Sequence, residues 1–302
     1  MKKINHLWER MPSGVLLPTG MVTDTSDRAI TSFLQLKAKA AAIEELFRMH
    51  GMALPQSSQL AMLINNCRRL WEEWFMNRMD ELNMTMLFNA LHLDRVAEAV
   101  LPLRDVHNCH FYLKSICDGS LDFFKREKSH AKDIFWEIET WAILKHKLPN
   151  VSLCEPPDVL VDFGNARIGI ACKKIYSETN VEKVLSEAVS QIEKNLDVGI
   201  VAVNIDDLIP ADKVLKAASL EEMTRVLRGL NESFIQRHER HLRKYLASGR
   251  LISAIVSTSV ISDIESERVR INNSRQWAVW TIPGLAESKD RVLKRFYECA
   301  MR

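Results

Sequence analysis

The chain has 302 residues, 47% hydrophobic and 26% charged, with ten Gly and nine Pro. That composition excludes a disordered or low-complexity protein and allows a sizeable core, in one or two domains at roughly 100–200 residues each. The formal net charge of +2 excludes a globally polybasic binder, so attraction for a polyanion has to come from local clusters of Lys and Arg.

No apolar run approaches the roughly 18 residues needed to cross a bilayer, and the opening MKKINHLWERMPSG lacks the apolar centre of a signal peptide. A soluble, cytoplasmic chain without a membrane partner is expected. The six cysteines (Cys67, Cys109, Cys117, Cys154, Cys172 and Cys299) form no Cys-x-x-Cys pair and are read as reduced, mostly buried thiols.

From 27 to 50, apolar residues recur at helical spacing (Ile30, Phe33, Leu34, then Ile43, Leu46, Phe47), and Gly51 supplies a stop. A second helix begins near Ser57 or Ser58 and carries Leu60, Leu63, Ile64, Leu70, Trp71, Trp74, Phe75 and Met79. Further helical stretches are predicted at about 85–101 and 105–125, with no period-2 strand before 125. Residues 1–125 therefore read as an all-helical unit, and its Met and Trp stripe reads as core.

The texture changes after the charged run 125–132. A helix is predicted at 131–147, followed by β-rich runs at 151–154, 158–163 and 167–173, with a hairpin turn signalled by Gly164-Asn165. A helix at about 180–196, a strand at 198–205, a long helix at about 219–246, strands at 251–258 and 276–282 and a closing helix at about 287–301 complete a mixed α/β domain over 126–302.

The chemistry concentrates around Pro157-Asp158, which opens a strand, and Ile168-Gly169-Ile170-Ala171-Cys172-Lys173 on the next. Side chains alternate across a strand, so Gly169, Ala171 and Lys173 share one face while Ile168, Ile170 and Cys172 line the apolar one. An ammonium and a carboxylate on adjacent strands are suited to converge on a phosphate. Upstream, the helix carries Phe135-Trp136-Glu137; downstream, the next helix carries Ser190-Gln191.

This layout resembles the PD-(D/E)XK nuclease superfamily over roughly residues 130–205. The family pattern is Pro-Asp opening a strand, then an acidic residue, any residue and Lys on the next. The resemblance implies a restriction-endonuclease-like mixed sheet flanked by helices, and a Mg²⁺-dependent deoxyribonuclease with Mn²⁺ as a substitute. By the same resemblance Asp158, Lys173, Glu137 and Gln191 are catalytic, and Asp158, Glu137 and the Cys172 backbone carbonyl hold the metal.

One position departs from the pattern, because residue 171, where the second acid belongs, is Ala171. Three accounts stay open: a deliberate acidic-to-Ala replacement in an inactivated nuclease, a carboxylate migrated to Glu187, or a module that binds nucleic acid or protein without cutting. The implied partner is DNA, with RNA as the alternative. Residues 1–125 would regulate or recognise, binding a partner protein or a second copy. Nuclease cores joined to such helical units resemble effectors of prokaryotic restriction or anti-phage defence.

Each residue also has a plain structural reading. Asp158 fits a turn, Lys173-Lys174 a solvated strand end, and Glu137 with Glu139 the polar face of an amphipathic helix. His238-Glu239-Arg240-His241 is one residue short of a zinc-protease motif. His107, Cys109 and His110 lack a second ligand pair at metal spacing and read as satisfied residues. The basic run from Arg225 to Arg250 is interspersed with Glu and fits either a phosphate-tracking or a solvated helix face. No glycine-rich phosphate loop is present.

Overall fold

The structure is a computed structural model that describes residues 8–10, 16–18, 33–76, 84–210, 214–267 and 269–300. The fold is α/β: a helical region precedes a mixed sheet flanked by helices. The first described element is a two-stranded antiparallel ribbon, β1 (Trp8–Arg10) with β2 (Leu16–Pro18). The expectation of no strand before 125 is corrected here, since three-residue strands are too short to show a period of two.

Helices α1 (Phe33–Met49), α2 (Gln59–Phe75) and α3 (Met84–Val100) follow; residues 27–32 and 77–79 of the predicted helices lie outside the described residues. Ser58 caps α2, its hydroxyl accepting from the Ala61 N–H at 3.2 Å. The expected helix at 105–125 shrinks to α4 (Cys109–Cys117). It stops at Asp118-Gly119, where Gly119 has φ +118°, and at Asp122, whose carboxylate accepts from the Phe124 N–H at 2.9 Å.

Helix α5 (His130–Lys147) leads into an antiparallel meander of β3 (Val151–Leu153), β4 (Val159–Asp162) and β5 (Arg167–Lys174). The predicted turn between β4 and β5 forms, with Gly164 at φ +83° and its N–H donating to Asp162 at 2.6 Å. Helix α6 (Val181–Glu193) crosses over to β6 (Gly199–Asn204), which pairs in parallel with β5. After β7 (Leu215–Ala217) and α7 (Leu220–Ala247) come β8 (Ser253–Ile264), β9 (Ile271–Trp280) and α8 (Glu287–Ala300).

Strand β8 takes β6 and then β7 along one edge and β9 along the other. β7 was not predicted, and β8 and β9 extend well beyond the expected strands. Their buried stretches are polar, so hydropathy hid them. Thr258 donates to Asn231 at 2.6 Å and Ser262 pairs with Ser274 at 2.6 Å, which satisfies groups that burial would otherwise penalise.

The alternation predicted for β5 holds. Ile168, Ile170 and Cys172 join the core beneath α5 and α8, while Ala171 joins the cluster of β6, α6 and α7 residues on the other face. Both faces of the central strands are therefore covered, as crossover helices require of parallel pairs. The first core also runs without a break through Val96 and Ala97 of α3, Leu113 and Ile116 of α4, and Leu36 and Ile43 of α1.

Candidate active site

Asp158 stands one residue before β4 and is 3% exposed. Its main chain is pinned by the Cys154 N–H, which donates to the Asp158 carbonyl at 3.1 Å. Beside it Pro157 leans on β5 at Gly169, where a Cβ would come within 2.8 Å of the proline ring. A residue with a side chain at 169 would push Pro157 and Asp158 away from the strand.

The Asp158 carboxylate is held at both oxygens. Oδ2 accepts from the Cys172 backbone N–H at 2.6 Å, and Oδ1 accepts from the Gln191 side-chain amide. The Gln191 carbonyl oxygen in turn accepts from Lys173 Nζ at 2.7 Å, and that ammonium lies 4.0 Å from Asp158 Oδ2. Gln191 thus bridges the two charged groups from α6. The Cys172 carbonyl lies on the same strand edge as its N–H, because both groups of one strand residue point the same way.

Glu137 reaches the same cleft from α5. The lining is completed by Glu155, Pro156, Ser186, Glu187, Ser190 and Lys194 around an open volume of about 560 Å³. Burial, followed by repulsion from Asp158, pushes the Glu137 carboxyl up to about 9, although Lys173 opposes this. Burial also raises Asp158, with Lys173, the Cys172 N–H and Gln191 pulling the other way. Two acids and one cation face each other, and desolvation disfavours charging both acids at once.

Asp158, Lys173, Glu137 and Gln191 therefore come together. Glu187 sits on the rim, exposed, with Lys183 3.9 Å away. Ala171 is fully buried in the apolar cluster and does not line the cleft. Extending the β4–β5 register by one residue from Val159↔Ile170 puts Asp158 opposite Ala171.

Sequence reasoning missed Glu155, Ser186, Ser190 and Lys194. The signal for three of them was available, since Ser186, Ser190 and Lys194 repeat every four residues and share a face of α6 with Glu187 and Gln191. All the side-chain oxygens here are hard donors, the kind that Mg²⁺ or Mn²⁺ prefers. Glu137 makes no hydrogen bond or ion pair among the described residues and Asp158 keeps free lone pairs, so the two carboxylates and the Cys172 carbonyl fit such a cation.

Several plain readings are corrected. Lys174 is not a solvated strand end: it is buried and pairs with Asp207 at 2.8 Å and Asn204 at 2.6 Å. Glu139 is not on a polar face: it accepts two bonds from Arg95 at 2.6 and 2.7 Å and faces Arg275 at 3.1 Å. On α7, Arg228 pairs with Glu232, Arg237 with Glu178 and Arg243 with Glu239, each at 2.6 Å, which suits a solvated face. His238 pairs with Glu178 at 3.1 Å.

Among the described residues no helix is long and apolar enough to cross a membrane. Comparison with protein-family models, with curated proteins and with solved structures finds no match.

Proposed function

We propose that the cleft is the active site of a metal-dependent phosphodiesterase that hydrolyses DNA, with Asp158, Glu137, Lys173 and Gln191 as its working residues. The observation that carries this reading is the hydrogen-bonded chain Lys173–Gln191–Asp158 with Glu137 beside it. Groups from four separate elements converge in one open cleft, in the element order that the PD-(D/E)XK resemblance implies. The preference for DNA over RNA rests on that resemblance.

Mg²⁺ or Mn²⁺ would be held by Asp158, Glu137 and the Cys172 carbonyl, and when bound supplies Lewis-acid polarisation of the phosphate and a more acidic water. A protonated Glu137 leaves Asp158 and Lys173 as a balanced pair, and a bound cation would favour the ionised form of Glu137 as a ligand. Lys173 is aimed at charge developing on the scissile phosphate. Gln191 fixes the separation of Lys173 and Asp158, so neither has to reorganise during the reaction.

Residues 1–125 serve, in this reading, to recognise a partner protein or a second copy, as in restriction or anti-phage effectors. Ala171 favours a second reading, a nucleic-acid- or protein-binding module that does not cut, because it removes one oxygen ligand from the set. Calorimetric titration with Mn²⁺ separates the two. The nuclease reading expects one site, weakened at least tenfold by Asp158→Asn and by Glu137→Gln. Retention of DNA with no metal binding in any form of the chain favours the second reading.

A further inference from the structure

His107, Cys109 and His110 carry no metal signal by spacing alone, but the fold brings His50 to Cys109 and His110. His50 follows the last residue of α1, and its Nδ1 lies 3.0 Å from Cys109 Sγ, the first residue of α4. His110 Nε2 lies 2.7 Å from the His50 carbonyl oxygen. One donor atom from each of His50, Cys109 and His110 lies within 4.8 Å of the other two. We propose that His50, Cys109 and His110 form a binding site for a divalent transition-metal ion of the zinc class, separate from the catalytic cleft.

The donor chemistry selects the ion. Two imidazoles and a thiolate suit zinc or cobalt and are poor ligands for magnesium or calcium. Zinc bonds of about 2.0 Å to nitrogen and 2.3 Å to sulfur put tetrahedral ligand atoms roughly 3.5 Å apart, so closing the site moves its atoms by about 1 Å. A carbonyl can only accept, so His110 Nε2 carries the hydrogen and Nδ1 keeps its lone pair. A ligating histidine is commonly oriented this way, through a bond from its other nitrogen to a backbone carbonyl.

His50 is free to serve as well. Its Nε2 is buried without a hydrogen-bond partner, and its ring is held by Cys109 and by an edge contact with the His110 ring at 5.4 Å. The helix ends help both charges, the carbonyl end of α1 favouring a cation and the amide end of α4 a thiolate, although burial pushes the Cys109 thiol up and leaves it to the ion to displace the proton. Binding displaces the Cys109 thiol proton to solvent, and a water completes the fourth position on the exposed His110 side. The ion would clip the end of α1 to the start of α4 across 59 residues of chain.

The test is a Co²⁺ titration of the full chain, first stripped with a chelator and kept reduced without one. The expected result is a thiolate-to-cobalt charge-transfer band that saturates at one equivalent of Co²⁺ in the Asp158→Asn chain, is displaced by Zn²⁺, and is matched by a melting temperature raised by Zn²⁺. Cys109→Ser should lose the band and weaken binding at least 100-fold. His110→Ala, which alters an exposed side chain and leaves the core intact, should weaken it at least tenfold. Asp158→Asn should keep the band, which separates this site from the cleft. Failure of the chain to bind Co²⁺, or a band that survives Cys109→Ser and His110→Ala, overturns the proposal.

Discussion

Glu137 is the residue on which the charge balance of the cleft turns. Its carboxyl is pushed up to about 9 when folded, against about 4.5 for an ordinary glutamate, so between those pH values the folded chain holds a proton that the unfolded chain has lost. Metal-free stability should fall as pH rises through this window, by at most about 1.4 kcal/mol per unit from this one group. Urea melts at a series of pH values check it: Glu137→Gln should flatten the slope, and Mn²⁺ should oppose the loss in the unmutated chain. Lys173→Ala should lower any cleavage rate by about 10²–10³-fold, the range for removing one preorganised donor, with the melting temperature nearly unchanged because Lys173 is partly exposed.

At this scale the sequence was legible where a side chain belongs to a motif. Asp158 and Lys173 stood out by strand alternation and by the Pro-Asp opening, and Gln191 by its place on the following helix. Glu155 did not, because its role depends only on which residues the cleft gathers. His50 was hidden for the same reason, since 59 residues separate it from Cys109.

Among the elements, the long helices were readable: α2, α5, α6 and α7 lie within a few residues of their predicted bounds. The misses have physical causes. Clusters of polar residues are buried in the middle of β8 and at the start of β9, where Thr258 bonds Asn231 and Ser262 bonds Ser274. α4 is cut short by a positive-φ glycine.

The joint between helices and sheet was also unreadable, because it is made of charges that sequence would assign to solvent. Arg95 of α3 bonds Glu139 of α5 and, at 2.9 Å, Asp206 after β6. Although burial opposes it, Glu139 and Asp206 hold Arg95 above its ordinary range. Arg95→Ala leaves both acids short of a partner in the interior and should cost about 3–5 kcal/mol, measured by urea unfolding. A cost under 1 kcal/mol would mean that water reaches the network.

Nearby His92 packs on Phe123 and Phe124, and burial followed by Arg95 and Arg126 lowers its pKa to about 3. A neutral buried histidine adds stability that is lost as pH falls from about 6.5 toward 3. His92→Phe should remove that part of the acid sensitivity, again seen in urea melts.

Across the whole molecule, one hydrophobic core links α1, α3, α4, α5, the sheet and α8. Far-UV circular dichroism and tryptophan fluorescence should therefore report coincident unfolding, whereas two separated transitions would show that the helical region is independently stable. The helix-meander-helix-strand core followed from the order of predicted elements, whereas the sheet order, with β8 between β6 and β9 and β7 added beside it, did not. The continuity of the core did not, since periodicity tells which face of a helix is apolar and not what it meets.

The central claim is that the cleft cuts phosphodiester bonds and that residue 171 limits it. Residue 171 stands opposite Asp158 across the β4–β5 pair, where Cβ atoms of such neighbours lie about 4.5–5.5 Å apart, so a glutamate there reaches the same cation only by turning out of the apolar cluster that holds Ala171. The most direct measurement is cleavage of plasmid and single-stranded DNA in Mg²⁺ and Mn²⁺ by the chain, by Ala171→Glu, and by Ala171→Glu combined with Lys173→Ala, all shown to be folded. The account predicts that Ala171→Glu cuts at least 100-fold faster than either of the others. No cutting by any of the three on either substrate would contradict it and leave the cleft a binding site.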